Sequence, residues 1–218
     1  LNHVIDGSLK STDLTTGYAN TKATSDASQT PMSIYINTEG GVKFNGISQV
    51  SVPNFSADNG TVHVVDKVID LPTIVTFAAA DSNFSILVEA LTRESSYTYV
   101  ETLSTPNGTE PAPFTVFAPV NSAFVSLLNE LDLTALSEVP TATLTSTLNT
   151  HVVAGANVLE SGLSDNMPIS TLGGALTVNL SAGEATLTDS GSRISKIIAT
   201  DVQANNGVIH AIDKVVLE

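Results

Sequence analysis

The feature that most limits what this chain can fold into is a twelve-residue sequence that occurs twice. DNGTVHVVDKVI occupies residues 58–69, and NNGVIHAIDKVV occupies residues 205–216, which lie 147 positions later. This separation exceeds the 20–50-residue period of solenoid repeats and is close to the length of one ordinary domain. The repeat therefore indicates two related folding units rather than a stack of short motifs.

A second pair of matching segments precedes the two copies. LNHVIDG (1–7) and NTHVVAG (149–155) align His3 with His151, and they leave 60 and 59 positions to the histidines of the later repeat. Between the anchors, residues 32–46 and 176–193 alternate apolar and polar side chains around a glycine-containing turn, which is typical of a β-hairpin. We call residues 1–72 unit one and residues 73–218 unit two.

The two units differ in how many residues precede their first histidine, a region that we call the front half. Residues 73–148 precede His151, whereas two residues precede His3. The alignment predicts that unit one is the C-terminal half of a domain and lacks roughly 75 residues that unit two has. A half domain of about 70 residues cannot easily bury a core built to be shared. We therefore expect this sequence to be a fragment: the missing half of unit one was cut off, lies on a separate chain or fragment that completes the unit, or is absent from the given residues.

The front half of unit two has the periodicity of short helices. Apolar residues recur at helical spacing after each of four starting positions: Thr73, Asp81 or Ser82, Asn121 as an N-cap, and Pro140. Later in the unit the pattern changes to strands, ending with a closing strand over 208–217 that is apolar on both faces. Helices followed by strands predict an α+β fold.

Composition excludes several classes of function. With 8 basic against 22 acidic residues and a net charge of −14, the chain repels phosphate backbones, so nucleic-acid binding is not expected. The absence of cysteine excludes a disulfide scaffold, a thiolate metal site and a cysteine nucleophile. The sequence contains no run of 18 apolar residues, so it predicts no membrane-spanning helix. No signal peptide opens the sequence, so the leader of an exported protein would lie outside it.

Three blocks in order, FTVFAPVNSAF, NTHVVAG and NNGVIHAIDKVVL, resemble the signature blocks of fasciclin domains. The resemblance covers 73–218, and the back-half blocks recur in 1–72. It rests on these residues: Phe114, Thr115, Phe117, Pro119, Asn121, Phe124, His151, Asn206, Gly207, His210 and Asp213 in unit two, with His3, His63 and Asp66 in unit one. The family often has tyrosine before the first histidine, where this chain has Thr150 and Asn2.

The resemblance implies a wedge of about seven strands with a layer of short helices. It also implies an extracytoplasmic protein (secreted, periplasmic or on the cell surface) that binds other proteins, glycans or matrix components in adhesion. In animal members an Asp-Ile pair before the last block is tied to integrin binding, and the matching residues here are Asp201 and Val202. The alternative is that Asp201 serves a turn before the last strand, a common role of aspartate.

No motif in the sequence predicts chemistry. Zinc needs three or four ligands, and no acidic residue recurs beside the histidines at ligand spacing, so we expect each imidazole to satisfy backbone groups. Gly-x-Ser-x-Gly, dinucleotide and phosphate-loop motifs do not occur. We predict no catalytic residue, metal or cofactor, and structural roles for Asp66 and Asp213. A second interpretation is a carrier of a small apolar ligand, such as a pigment or lipid, in a pocket of several hundred Å³.

Overall fold

The computed structural model describes residues 1–181 and 183–218, and it contains two β-sheets. Unit one forms a five-stranded antiparallel sheet whose strands are hydrogen-bonded in chain order. Its strands are β1 (Gly17–Thr24), β2 (Pro31–Asn37), β3 (Lys43–Phe44), β4 (Ser48–Ala57) and β5 (Gly60–Val65). Strand β5 therefore lies at one edge of this sheet.

Unit two contains the larger, seven-stranded sheet. Its strands are β6 (Phe114–Pro119), β7 (Val152–Ala154), β8 (Met167–Ser170), β9 (Ala175–Ser181), β10 (Glu184–Thr188), β11 (Ile194–Ala204) and β12 (Gly207–Ile212). They are ordered β7-β6-β12-β11-β10-β9-β8. In the described parts of the sheet β6 and β12 pair in parallel and the other neighbours pair antiparallel.

Short helices cover one face of this sheet. In the described residues they are α1 (Ile74–Ala80), α2 (Ser85–Thr92), α3 (Tyr99–Leu103), α4 (Asn121–Glu130) and α5 (Thr141–Thr150). Single 3₁₀ turns occur at Ser82–Phe84, Leu136–Glu138 and Glu160–Gly162. A seven-stranded sheet with a layer of short helices confirms the predicted α+β class.

Local sequence explains where the first helices begin and end. The Thr73 side chain accepts a hydrogen bond from Thr76 N, and Thr76 Oγ1 accepts one from Thr73 N, which forms a capping box for α1. Asp81 ends α1, and its side chain accepts from Asn83 N, so it also caps the 3₁₀ turn that leads into α2. The end of α1 and the start of the 3₁₀ turn are therefore both set by the buried carboxylate of Asp81.

Two apolar clusters hold unit two together, one on each side of the β6–β12 pair. The helix-side cluster lies beneath the helices and includes Phe77, Phe124 and Ile209. The sheet-side cluster lies on the other side of the sheet and includes Phe117 and Ile212. All six residues of β6 and of β12 are buried. The apolar character of both faces of β12 follows from this position between two cores.

The closing strand is shorter than the sequence pattern predicts. Strand β12 ends at Ile212 rather than Leu217. Asp213 Oδ1 accepts a hydrogen bond from Lys196 N at 2.7 Å, and Ser195 Oγ donates to Lys214 O at 2.8 Å. These contacts turn the chain out of the ladder, although the alternation of apolar residues continues.

The two units pack directly against each other, with β2 lying against β11. Tyr35 of β2 is buried in the helix-side cluster of unit two. The Tyr18 ring meets Phe77 edge-on, with ring centroids 5.4 Å apart, and its hydroxyl donates to Asp81 Oδ2 at 3.0 Å. Burial and the neighbouring Asp81 carboxylate raise the pKa of Tyr18. The junction is therefore part of the core rather than a linker.

No single helix in the described part of the chain is long and apolar enough to cross a membrane. The bent pair Ile74–Ala80 and Ser82–Thr92, with 96° between its helices, meets the length and composition criteria only as a pair.

Candidate functional site

His151 and its counterpart His3 each bind the backbone that follows the closing strand of their unit. His151 Nδ1 lies 2.7 Å from Thr147 O and donates to it, while Nε2 accepts from Val216 N at 3.2 Å. In unit one, His3 Nε2 accepts from Ile69 N at 3.0 Å. Burial lowers the pKa of His151 to about 4, so the imidazole is neutral at pH 7.

His210 and His63 each bind a backbone carbonyl in a segment outside the strands of their own unit. His210 Nε2 donates to Val158 O and His63 Nε2 donates to Leu9 O, both at 2.9 Å. The His210 ring also stacks on Phe117, with centroids 5.6 Å apart and 25° between planes. Burial lowers the pKa of His210. The geometry is that of backbone satisfaction, and no group of three or more His, Asp or Glu in the described residues has the arrangement of a metal site.

Thr115, on β6, fastens the segment that follows β7. Its Oγ1 accepts a hydrogen bond from Val158 N at 2.8 Å and donates to Ala156 O at 2.9 Å. Phe114, Phe117 and Pro119 lie on the same strand and are buried. Since β6 is central to the fold, these signature residues all lie inside unit two and not on its surface.

Asn206 ties the last hairpin to the front half of unit two. Its Oδ1 accepts from Ile74 N at 3.0 Å, and its Nδ2 donates to Leu103 O at 2.7 Å and Thr105 O at 3.0 Å. The side chain is fully buried. One amide therefore satisfies backbone groups from two separate helical segments.

Gly207, the next residue, allows the closest backbone approach in unit two. A Cβ atom there would lie 2.8 Å from Ile74 Cδ1 and 2.9 Å from Phe114 N, and closer still to Phe114 O. The equivalent residue of unit one, Gly60, has no atom within 4 Å of the same position. Glycine is thus required where β6 pairs with β12, and unit one has the same residue with open space beside it.

Asn121 does not cap its own helix, contrary to the N-cap prediction. It is the first residue of α4, after Val120. Its Oδ1 accepts from Ile86 N at 3.0 Å, and its Nδ2 donates to Ser82 O and to Ser85 Oγ. The amide instead serves the start of α2, 35 residues away, while Phe124 packs into the helix-side cluster as an apolar stripe requires.

The repeated aspartates close equivalent hairpins. Asp66 Oδ1 accepts from Gln49 N at 2.7 Å, as Asp213 Oδ1 accepts from Lys196 N at 2.7 Å. Both carboxylates thus bind a backbone amide of the preceding strand.

Asp201 and Val202 lie within β11, at a β-bulge, rather than in a turn that leads into the last strand, β12. Asp201 has φ 57°, and its Oδ1 accepts from Glu160 N at 2.8 Å. Asn54 of unit one repeats both features, with φ 66° and a bond from Ser11 N at 2.8 Å. Aspartate and asparagine tolerate this left-handed conformation better than other residues with side chains. Asp201 is partly exposed, whereas Val202 is buried in the helix-side cluster.

Sequence reasoning missed the polar contacts of the junction. The Gln203 amide donates to Ser25 Oγ at 3.2 Å and to Asn157 Oδ1 at 2.9 Å, and Gln203 N donates to Ser33 Oγ at 3.0 Å. Gln203 is 1% exposed. Its only signal in the sequence is a glutamine between two apolar residues, Val202 and Ala204, and the equivalent residue of unit one, Ser56, is exposed.

Three recesses differ greatly in size. The apolar cavity between the helices of unit two, beside Leu87 and Leu148, has a volume of about 50 Å³. A groove at the junction, lined by Tyr18, Asp81 and Ile198, measures about 510 Å³. A recess on the open face of unit one measures about 390 Å³ and is lined in part by Ile34, Phe44 and His63.

Comparison with known proteins identifies the architecture and the family. The fasciclin domain model matches residues 1–72 and 82–218. An uncharacterized protein of Synechocystis sp. is 33% identical over 151 residues, which cover 67% of this chain and 98% of that protein. A fasciclin-like arabinogalactan protein of Arthroderma benhamiae is 27% identical over 180 residues, 78% of this chain but 36% of the fungal protein.

A solved structure supports the same assignment at the level of the fold. The FAS1 domain pair of the insect cell adhesion molecule fasciclin I aligns with a TM-score of 0.58 and 18% identity, covering 92% of this chain and 67% of that one. The match therefore extends over both units and not over the second alone. With the fasciclin model matching both of its units, the chain belongs to the fasciclin domain family.

Proposed function

We propose that this chain is an extracytoplasmic adhesion module that binds proteins or glycans of a cell surface or matrix by surface complementarity. Membership of the fasciclin family carries the proposal, together with the similarity to a domain pair from a cell adhesion molecule. The histidines also support the proposal, because at least one ring nitrogen of each binds a backbone group of its own unit.

The charge of the surface selects the kind of partner. A net charge of −14 favours association with basic or neutral surfaces and opposes association with other acidic ones. We therefore propose a partner that presents basic side chains or neutral glycans at the contact.

The bulge at Asp201 is the contact that we propose on unit two. Ile198, three residues earlier on the same strand, is an apolar residue that is 50% exposed. Oδ1 of Asp201 is held by Glu160 N, and within the described residues its Oδ2 receives no hydrogen bond. A fixed, partly exposed carboxylate on a strand that also exposes an apolar side chain three residues away provides both orientation and buried area for a partner. Val202 contributes by holding the bulge from inside.

Asp201→Asn tests the contact cleanly, because unit one already uses asparagine at this position with the same backbone conformation and the same type of hydrogen bond. We expect the variant to keep its melting temperature but to lose most of the attachment of protein-coated beads to immobilised matrix proteins and glycans. Asp58→Asn, at an exposed residue of unit one, is the control with the same change of charge.

Two outcomes separate the site from the function. If Asp201→Asn beads attach as well as the original, the Asp201 contact is wrong and the adhesion proposal stands. If the unaltered protein attaches to no surface better than an unrelated acidic protein does, the adhesion proposal itself fails.

The small-ligand alternative has less support from the geometry. Ligand pockets usually measure 300–1,000 Å³. The enclosed apolar cavity of unit two, at about 50 Å³, is too small for a pigment or lipid. The junction groove of about 510 Å³ has Asp81, Asn83 and Asn121 in its lining, which disfavours an apolar ligand. The recess of about 390 Å³ lies at the open edge of the unit-one sheet, beside strand β5, where it matches a strand neighbour better than a small molecule.

A further inference from the structure

Unit one exposes a row of apolar side chains whose counterparts in unit two are buried. The two units align residue for residue over β4–β5 and β11–β12, with an offset of 147. On one face of this hairpin and of the segment that follows it, the unit-one residues are 42–68% exposed and the unit-two residues 1–6% exposed: Phe55 and Val202, Val62 and Ile209, Val64 and Ala211, Val68 and Val215. The same face is therefore a surface in one unit and a core in the other.

Unit two shows what covers this face. Strand β6 pairs in parallel with β12, in the register Gly207 with Phe114 through Ile212 with Pro119, and α1, α2, α4 and α5 pack over the pair. In unit one, β5 occupies the place of β12 and pairs with β4 alone among the described residues. Its outer edge presents backbone donors and acceptors of the kind that an added strand uses.

The recess of about 390 Å³ lies on the other side of the same edge. In unit two, Phe117 of β6 stacks on His210 and enters the sheet-side cluster. The recess of unit one borders His63, the counterpart of His210, and is lined by apolar residues that include Ile34, Phe44, Val65 and Ile69. Unit one therefore has a place for each face of an added strand. The exposed apolar row would contact one face, and the recess beside His63 would receive side chains from the other.

We propose that the β5 edge and the open faces beside it bind the front half of a fasciclin unit. The occupant is a polypeptide segment with a parallel strand of the Phe114–Pro119 type, which places a phenylalanine in the recess, followed by an amphipathic helix of the α4 type that covers the exposed row. Residue Gly60 admits the incoming carbonyl, as Gly207 admits Phe114 O in unit two.

Charge favours this occupant over a second copy of the chain. Residues 113–131, which span β6 and α4, contain one charged residue, Glu130, whereas two copies of the whole chain would bring together net charges of −14 each. Pairing of β5 with β5 of another copy would also leave the recess without a phenylalanine.

The test uses the full chain and a synthetic peptide of residues 113–131. Hydrogen exchange should show new protection of the β5 amides, Gly60–Val65, when the peptide is added. A peptide with Phe117→Ala should bind at least tenfold more weakly, since it loses the stacked aromatic anchor. The chain variant Gly60→Ala should keep its melting temperature, because a Cβ there meets no atom, and should lose peptide binding at least tenfold.

A fusion protein tests the same contact without a free peptide. An additional copy of residues 73–148, joined ahead of Leu1 by a Gly/Ser linker, should protect the same β5 amides, and Gly60→Ala in that fusion should remove the protection. The proposal is overturned if neither peptide nor fusion protects β5, or if Gly60→Ala leaves binding unchanged. It is also overturned if β5 is protected in the unaltered chain through concentration-dependent dimers, because the occupant is then a second copy.

Discussion

Replacing Gly207 with alanine should destabilise unit two, while the same replacement of Gly60 should not. The added Cβ at position 207 would stand 2.8 Å from Ile74 Cδ1, which can rotate away, and 2.9 Å from the backbone nitrogen of Phe114, which cannot. The glycine φ of +155° adds to the strain for a residue with a side chain. The first residues of β6 and β12 would have to move apart.

The size of the expected destabilisation follows from the overpacking and from the backbone hydrogen bond that this movement would break. Phe114 N donates to Asn206 O at 3.0 Å at the start of the parallel pair, and both residues are buried. Overpacking typically costs about 1–3 kcal/mol, and leaving a buried backbone group without a partner costs about 1–3 kcal/mol. We expect a loss of about 2–6 kcal/mol in the free energy of unfolding, which lowers the melting temperature of a chain of this size by roughly 4–24 °C.

Thermal and urea unfolding of the two variants side by side measure this difference. Gly60→Ala is a matched control, because it alters the same position of the same hairpin with no atom within 4 Å. It should leave the melting temperature unchanged or slightly higher, since alanine restricts the unfolded chain. Equal effects of the two substitutions, in either direction, would refute the reasoning.

Two further predictions concern buried polar groups. The pKa of His151 is about 4 in the folded protein against 6.5 in the unfolded chain, so the unfolded chain binds the extra proton between these values. About 3 kcal/mol of stability that is present above pH 6.5 should be lost as the pH falls to about 4, and His151→Gln should flatten the melting temperature against pH in this window. Gln203→Ala leaves the hydroxyl of Ser25 and the amide of Asn157 short of a partner and should cost about 2–4 kcal/mol in urea unfolding, against about zero for Ser56→Ala at the equivalent exposed position.

Local patterns in the sequence predict the elements that local interactions form. The antiparallel pairs β2–β3 and β9–β10 follow from alternation around glycine, and α2 and α4 follow from apolar residues at helical spacing. The α+β class follows from the order of these patterns along the chain. Each of these features involves residues close together in sequence.

Contacts between distant residues leave no such pattern. The parallel pairing of β6 with β12 joins Phe114 to Gly207, and the role of Asn121 depends on α2, which lies 35 residues earlier. Neither can be read from periodicity, because periodicity reports which face is apolar and not which element covers it. The early end of β12 at Ile212 is similar, since the backbone bonds made by Asp213 override an alternation that continues.

The junction between the units fixes how two contacts could work together. Pro72 O accepts from Asn205 N at 2.8 Å, Thr73 begins the next unit at once, and Gln203 bonds across to Ser25. Unit one and unit two therefore cannot rotate freely, as domains on a flexible tether do. A partner that touches both units loses its orientational freedom once, and its second contact forms at the effective concentration set by β2 lying on β11. The two proposed contacts would therefore keep one fixed spacing.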